Sequence, residues 1–134
     1  MNLLGSVPVG RVVFTLGALP AVVPVTFAVQ DHAIVIRTSA DTRLAAAADG
    51  GVLAFETDDV DPVTRTGWSV VVTGVAEVVT DHARQAAIRS VVEPFAPGSH
   101  EVYVRLPLTI VTGRRVEVTR AVPLSAVTID AGEG

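Results

Sequence analysis

Gly67-Trp68-Ser69-Val70-Val71-Val72-Thr73-Gly74-Val75-Ala76-Glu77-Val78-Val79 is the stretch that decides the fold. Its β-branched content predicts a strand, and an extended chain sends successive side chains to opposite sides. Trp68, Val70, Val72 and Val78 then share one face, and Val71, Val75 and Val79 the other. A strand that is apolar on both faces is covered on both. Gly67 to Val79 is therefore expected deep in a barrel or at a contact between subunits.

Turn residues divide the rest of the chain into similar runs. Arg11 to Leu16 reads as a strand ended by Gly17 and Pro20, and Ala21 to Val29 as the next. Pro24 lies inside that second run and cannot donate to a ladder, so the segment is an edge or carries a bulge there. Ala33 to Thr38 is a third strand. An alanine-rich helix then spans about residues 39–48, capped by Asp41 or Ser39 and stopped by Asp49-Gly50-Gly51. Val52 to Thr57 returns to strand, and Asp58 to Thr66 reads as a polar loop. A second helix covers roughly Asp81 to Val92, and Pro94, Pro97 and Gly98 mark the loop after it. Glu101 to Leu106 and Leu108 to Val118 are the last strands, with Gly113 as a break. The expected architecture is mainly β: a six- to seven-stranded antiparallel split barrel with two short helices. Residues 1–120 form the domain, and 121–134 a C-terminal tail that frays.

Composition narrows the setting. The 134 residues are 49% hydrophobic and only 18% charged, more apolar than one small interior accommodates. The excess predicts a buried contact between two copies, with aggregation-prone strands as the alternative. Val12 to Gln30 carries no charge, but Gly17, Pro20 and Pro24 interrupt it, so strand–turn–strand replaces a membrane helix. The start, Met1 to Gly5, has no basic segment leading into an apolar run, and there is no cysteine. Both point to a cytoplasmic protein. A net charge of −4 argues against a nucleic-acid partner. Every basic side chain is arginine or histidine, a usage that fits a GC-rich genome as well as phosphate recognition.

Chemistry concentrates in Ile36-Arg37-Thr38-Ser39-Ala40-Asp41-Thr42-Arg43-Leu44, where a strand gives way to a helix between two arginines. Amides at a helix start, hydroxyls and arginine forks together suit an anion. An ordinary capped helix with two solvated arginines is the commoner reading of the same residues, and Asp41 opposes an anion. Trp68 could wall a planar ligand with Ser69 beside it, or serve simply as core. Glu56, Asp58, Asp59 and Asp61 lack the spacing of an oxygen-ligand metal loop and read as solvated turn residues, although Glu56 and Asp58 fall on one strand face. His32, His82 and His100 form no metal-ligand pair. No nucleophile or general base stands out.

Several motifs taken together resemble the pyridoxamine 5′-phosphate oxidase-like proteins, the flavin mononucleotide (FMN)-binding split barrels, in their short actinobacterial form. These are Val9-Gly10-Arg11-Val12, Val23-Pro24-Val25-Thr26-Phe27, Arg37-Thr38 with Arg43-Leu44, and Phe55 to Pro62. Thr64-Arg65-Thr66-Gly67-Trp68-Ser69-Val70 is the most specific, and Val111 to Val116 closes the series. The resemblance implies a homodimer with two FMN sites at its interface. Pro24, Val25 and Thr26 would line the isoalloxazine edge, and Arg37, Thr38, Thr42 and Arg43 would hold the phosphate and ribityl chain. Trp68 and Ser69 would approach the flavin from the long strand, with Arg114 reaching the partner's site. Thr26 stands where the family usually has Asn, Asp41 where it has Gly, and Arg43 where it has Lys.

The implied activity is that of a flavin-dependent reductase of unknown substrate, with NADH or NADPH as electron donor. The distinctive substrate-binding tail of the pyridoxamine phosphate oxidases is not recognisable here. Members of the same fold are also associated with a deazaflavin coenzyme or haem, and a non-catalytic flavin-binding module is the remaining alternative.

Overall fold

The computed structural model describes residues 9–93, 101–117 and 128–129. Among these, strands dominate: β1 (Val9–Leu16), β2 (Leu19–Gln30), β3 (Ala33–Ser39), β4 (Val52–Asp61), β5 (Thr66–Val75), β6 (Glu77–Val78), β7 (Glu101–Pro107), β8 (Ile110–Glu117) and β9 (Thr128–Ile129). The helices are α1 (Arg43–Ala48) and α2 (His82–Arg89). The expected loop at Pro94 to Gly98 and His100 lie outside the described residues. So does most of the expected tail, whose Thr128–Ile129 pair antiparallel with β8.

All pairings are antiparallel, in the spatial order β6-β7-β3-β2-β1-β4-β5-β8-β9. A single residue, Ala76, joins the interior strand β5 to the edge strand β6. One residue spans under about 4 Å, so the β6 edge must curl round to lie beside β5. The order therefore describes a barrel, as the strand pattern predicts. Ala76 is held at that corner by its amide donating to the Gly51 carbonyl (2.8 Å) while its own carbonyl accepts from Gly50 (3.1 Å).

Tight turns make the curl possible. β1 and β2 are joined by Gly17-Ala18, and β2 and β3 by Asp31-His32, all four with positive φ. Two-residue turns of this hand match the twist of antiparallel strands. The long strand expected over Gly67 to Val79 is broken at Ala76. The acidic stretch behaves differently from its expectation too. Asp58, Asp59, Val60 and Asp61 continue β4 in register with β5, and the loop shrinks to residues 62–65. Asp61 Oδ1 accepts from the Val63 amide (2.8 Å), which closes the turn without lengthening it. Gly67 explains part of that register: a Cβ there would stand 2.1 Å from the Asp59 carbonyl oxygen, so only glycine permits the close strand approach.

The interior is filled by Val12, Phe14, Val25, Phe27, Ile34, Ile36, Leu53, Phe55, Val70, Val72, Val104 and Leu106, with Leu44 and Ala48 of α1 plugging one end. Phe27 and Phe55 meet edge to face at 4.7 Å. A second cluster, Val35, Val79, Ile88, Val92 and Tyr103, lies under α2. α1 is capped by Thr42, whose hydroxyl accepts from the Ala45 amide, and not by Asp41 or Ser39. A threonine one residue before the helix meets that amide directly, whereas Asp41 is one position too early.

Candidate functional site

β2 changes partners halfway. Leu19 to Thr26 pair with β1, and only Phe27 to Gln30 pair with β3. The two strands diverge beyond Phe27 and Ile36, and the opening between them is the split in the barrel. Pro24 sits in the half of β2 that has a neighbour on one side only, which is the edge position its missing donor demands. A cleft of about 210 Å³ occupies the opening, lined by Val23, Pro24, Val25, Arg37, Thr38, Ser39 and Thr42. Pro24, Val25, Arg37, Thr38 and Thr42 are thus brought together from residues up to 18 positions apart.

The polar groups of this cleft are already ordered. Thr38 and Thr42 hydroxyls lie 3.0 Å apart, and the Thr42 hydroxyl donates to the Ser39 carbonyl at 2.8 Å. Arg37 turns its fork away from solvent: Nε donates to Glu101 Oε2 (3.1 Å), Nη2 donates to the same oxygen, and Nη1 donates to the Val92 carbonyl (2.7 Å). Tyr103 donates to the other Glu101 oxygen (2.8 Å) and accepts from Arg89 (3.1 Å). Burial disfavours ionising Glu101, but the Tyr103 and Arg37 hydrogen bonds and the nearby guanidinium charges outweigh it and lower its pKa. Arg37 is therefore a strut tying β3 to β7 and to the residues after α2. Arg43, on the exposed side of α1, makes no ion pair among the described residues. Thr26 lies outside the cleft lining and donates its hydroxyl to the Glu93 carbonyl.

Trp68 and Ser69 are elsewhere. They line a second cleft of about 520 Å³ along β5 and β8, with Thr66, Gly67, Gly113, Arg114 and Arg115. Trp68 packs on the edge of the core and pairs across with Arg115; Ser69 pairs with Arg114 on the opposite face. In the sheet β1 and β4 stand between the two clefts.

Sequence reasoning missed two charge clusters. The Arg37–Glu101–Tyr103–Arg89 network hangs on a pair, Arg37 and Glu101, 64 positions apart, and no local pattern announces it. The other cluster is on the outside of the barrel: Arg11 Nη1 lies 3.1 Å from Glu56 Oε1 and 3.5 Å from Asp58 Oδ2. The shared strand face of Glu56 and Asp58 is legible in the sequence; Arg11 as their neighbour is not. Glu56 is pushed up to about 7, first by burial and then by the hydrogen bond and charge of Asp58, which Arg11 only partly offsets. No three metal-ligating side chains converge among the described residues, and none of their helices is long and apolar enough to cross a membrane.

A curled antiparallel sheet with a cleft where two of its strands part defines a split-barrel protein. The chain belongs to the pyridoxamine 5′-phosphate oxidase family, whose sequence profile matches residues 1–115. An uncharacterized protein of Mycobacterium tuberculosis is 42% identical over 128 residues, 92% of this chain and 84% of the relative. The solved structure of an FAD-binding protein from Mycobacterium smegmatis is 38% identical with a TM-score of 0.72, covering 85% of this chain and 89% of that one. An FAD- and haem-binding protein of the same organism shares the fold alone, at 18% identity, TM-score 0.68, and coverage of 84% and 67%.

Proposed function

We propose that this chain is a flavin-dependent oxidoreductase that holds its cofactor between two copies of itself. The observation that carries the reading is the split between β2 and β3, where Pro24, Val25, Arg37, Thr38 and Thr42 surround one cleft. The family membership and the flavin named for the 38%-identical structure support it. The separation of the clefts supports the homodimer. With β1 and β4 between them, the cleft beside Trp68 and Ser69 stands about three strand spacings away, roughly 14 Å. A second copy supplies Trp68 and Ser69 to the first copy's cleft.

Each residue has a task in this arrangement. The backbone of Pro24 and Val25 lies along the unpaired edge of β2 and faces the flavin ring. Thr38 and Thr42 offer hydroxyls to the ribityl chain and phosphate. Arg43 supplies the phosphate's counter-charge, while Arg37 holds the β3 wall in place through Glu101. Trp68 excludes water from the ring. The bound flavin carries the hydride chemistry at its N5, so the chain needs no acid–base pair of its own.

FMN follows from the family resemblance, and FAD from the structure most alike in sequence of those compared above. Denaturing the purified protein and separating the released nucleotide by chromatography distinguishes them. Flavin absorbance is expected; a Soret band would mean haem, and a colourless protein would leave the deazaflavin coenzyme. Anaerobic mixing with NADH or NADPH should bleach the flavin, and a flavin that stays oxidised with both donors rules out the reductase in favour of a carrier. Arg43→Ala should weaken flavin retention, and unchanged affinity would remove Arg43 from the phosphate role.

A further inference from the structure

The ladder between β2 and β3 ends at Phe27 and Ile36, so Thr26 and Arg37 are the first residues on either lip of the split. Phe27 and Ile36 are core side chains, and alternation along a strand sends their neighbours outward. Thr26 and Arg37 therefore flank the split on the outside of the barrel, with no ladder pair between them. Each donates instead to the backbone that follows α2: Thr26 to the Glu93 carbonyl, and Arg37 Nη1 to the Val92 carbonyl at 2.7 Å. Consecutive carbonyls thus reach opposite lips. The Val92–Glu93 backbone crosses the split at the point where pairing stops.

This crossing segment is fixed at its root. Val92 is buried with Val35, Val79, Ile88 and Tyr103, and its amide donates to the Ile88 carbonyl at 3.0 Å. The two lips hold it unequally. On the β3 side the Arg37 fork is itself held by Glu101, which accepts from Tyr103, which accepts from Arg89 at the end of α2. On the β2 side, among the described residues, one threonine hydroxyl makes the connection. A neutral hydrogen bond is the weaker link of the two, since charge-assisted ones are about twice as strong. Pro24 and Val25, which line the cleft, directly precede Thr26 on this lip. Where Thr26 is held, they are held.

We propose that Thr26 is a positioning residue for the cofactor cleft, acting through the Val92–Glu93 strap that its hydroxyl hangs across the split. The proposal rests on the flavin reading above and adds a residue that does not line the cleft. With the strap tied to both lips, the spacing between the Pro24–Val25 edge and the Thr38 and Thr42 hydroxyls is set before a flavin arrives. Without the Thr26 bond the β2 lip is free to move, and binding must supply the order that the strap provided. Affinity falls with the fraction of molecules whose cleft keeps its width. One lost hydrogen bond corresponds to a loss of roughly five- to tenfold, most of it in the rate of release.

The test compares the native full chain with Thr26→Val, which keeps the β-branched shape and removes the donor, and Thr26→Ser, which keeps the donor. Release of FMN or FAD, whichever the chain holds, is followed by flavin fluorescence after dilution. Amide hydrogen exchange over Val91 to Glu93 is measured on the chain stripped of flavin, its fold checked by circular dichroism. Expected for Thr26→Val are release roughly five- to tenfold faster and faster exchange, with near-native values for Thr26→Ser. Native release from Thr26→Val overturns the role. Faster release with unchanged exchange also overturns it, because Thr26 would then touch the flavin directly. Failure of Thr26→Ser to restore slow release does the same, since shape and not the hydroxyl would be responsible. These three outcomes leave the flavin reading standing. A native chain that takes up neither FMN nor FAD overturns that reading and this role together.

Discussion

The β4–β5 ladder and strand β2 are built from similar residues but do different work. β4 and β5 stay in register for ten consecutive pairs, Val52 with Val75 through Asp61 with Thr66. β2 pairs with β1 and then transfers to β3. Uninterrupted pairing makes a stiff platform whose outer face is free for other uses. Divided pairing opens a cleft, and the polar side chains around it bond to one another and to nearby carbonyls. The comparison teaches that the candidate site is the place where the sheet stops pairing with itself.

Substitutions in the two regions should therefore fail in different ways. Phe55, fully buried under the ladder against Phe27, has the largest expected effect: Phe55→Ala should cost about 3–5 kcal/mol in urea unfolding. A loss under about 1 kcal/mol would mean that the ladder is not the platform. At the split, Arg37→Gln removes charged hydrogen bonds to Glu101 and the Val92 carbonyl and should cost about 1–3 kcal/mol. If it instead released cofactor without loss of stability, Arg37 would be a ligand and not a strut. Thr42→Ala removes the α1 cap for about 1 kcal/mol, with Thr42→Ser expected to restore most of it.

The smallest effect is a pH slope. The folded pKa of Glu101 is lowered from 4.5, so its contribution is full above that value and is lost as pH falls below it. Glu101→Gln should flatten the acid limb of the stability profile. An unchanged limb would remove Glu101 from the set of groups that govern acid unfolding.

Much of the site was legible as segments and little of it as geometry. Arg37, Thr38 and Thr42 stood out because hydroxyls and arginines flank a strand-to-helix junction. Their cleft partners Pro24 and Val25 came from the resemblance, and the structure places all five together. The role of Arg37 could not be read locally, since Glu101, which faces it, lies 64 residues further on. The acidic stretch after Glu56 was misjudged as a loop. Aspartates disfavour strands in isolation, but here a glycine opposite and a continuous partner strand hold them in register.

The alternation of apolar residues and the spacing of turns determined by themselves that this chain is an antiparallel barrel with two short helices. Those signals act over a few residues and need no knowledge of distant neighbours. Only the tertiary structure decided that β2 divides its pairing, that Arg37 is tied to Glu101, and that Arg11, Glu56 and Asp58 meet on the outside of the barrel. Each of these is set by which strands lie side by side once the sheet has curled, and strand order is a property of the closed barrel.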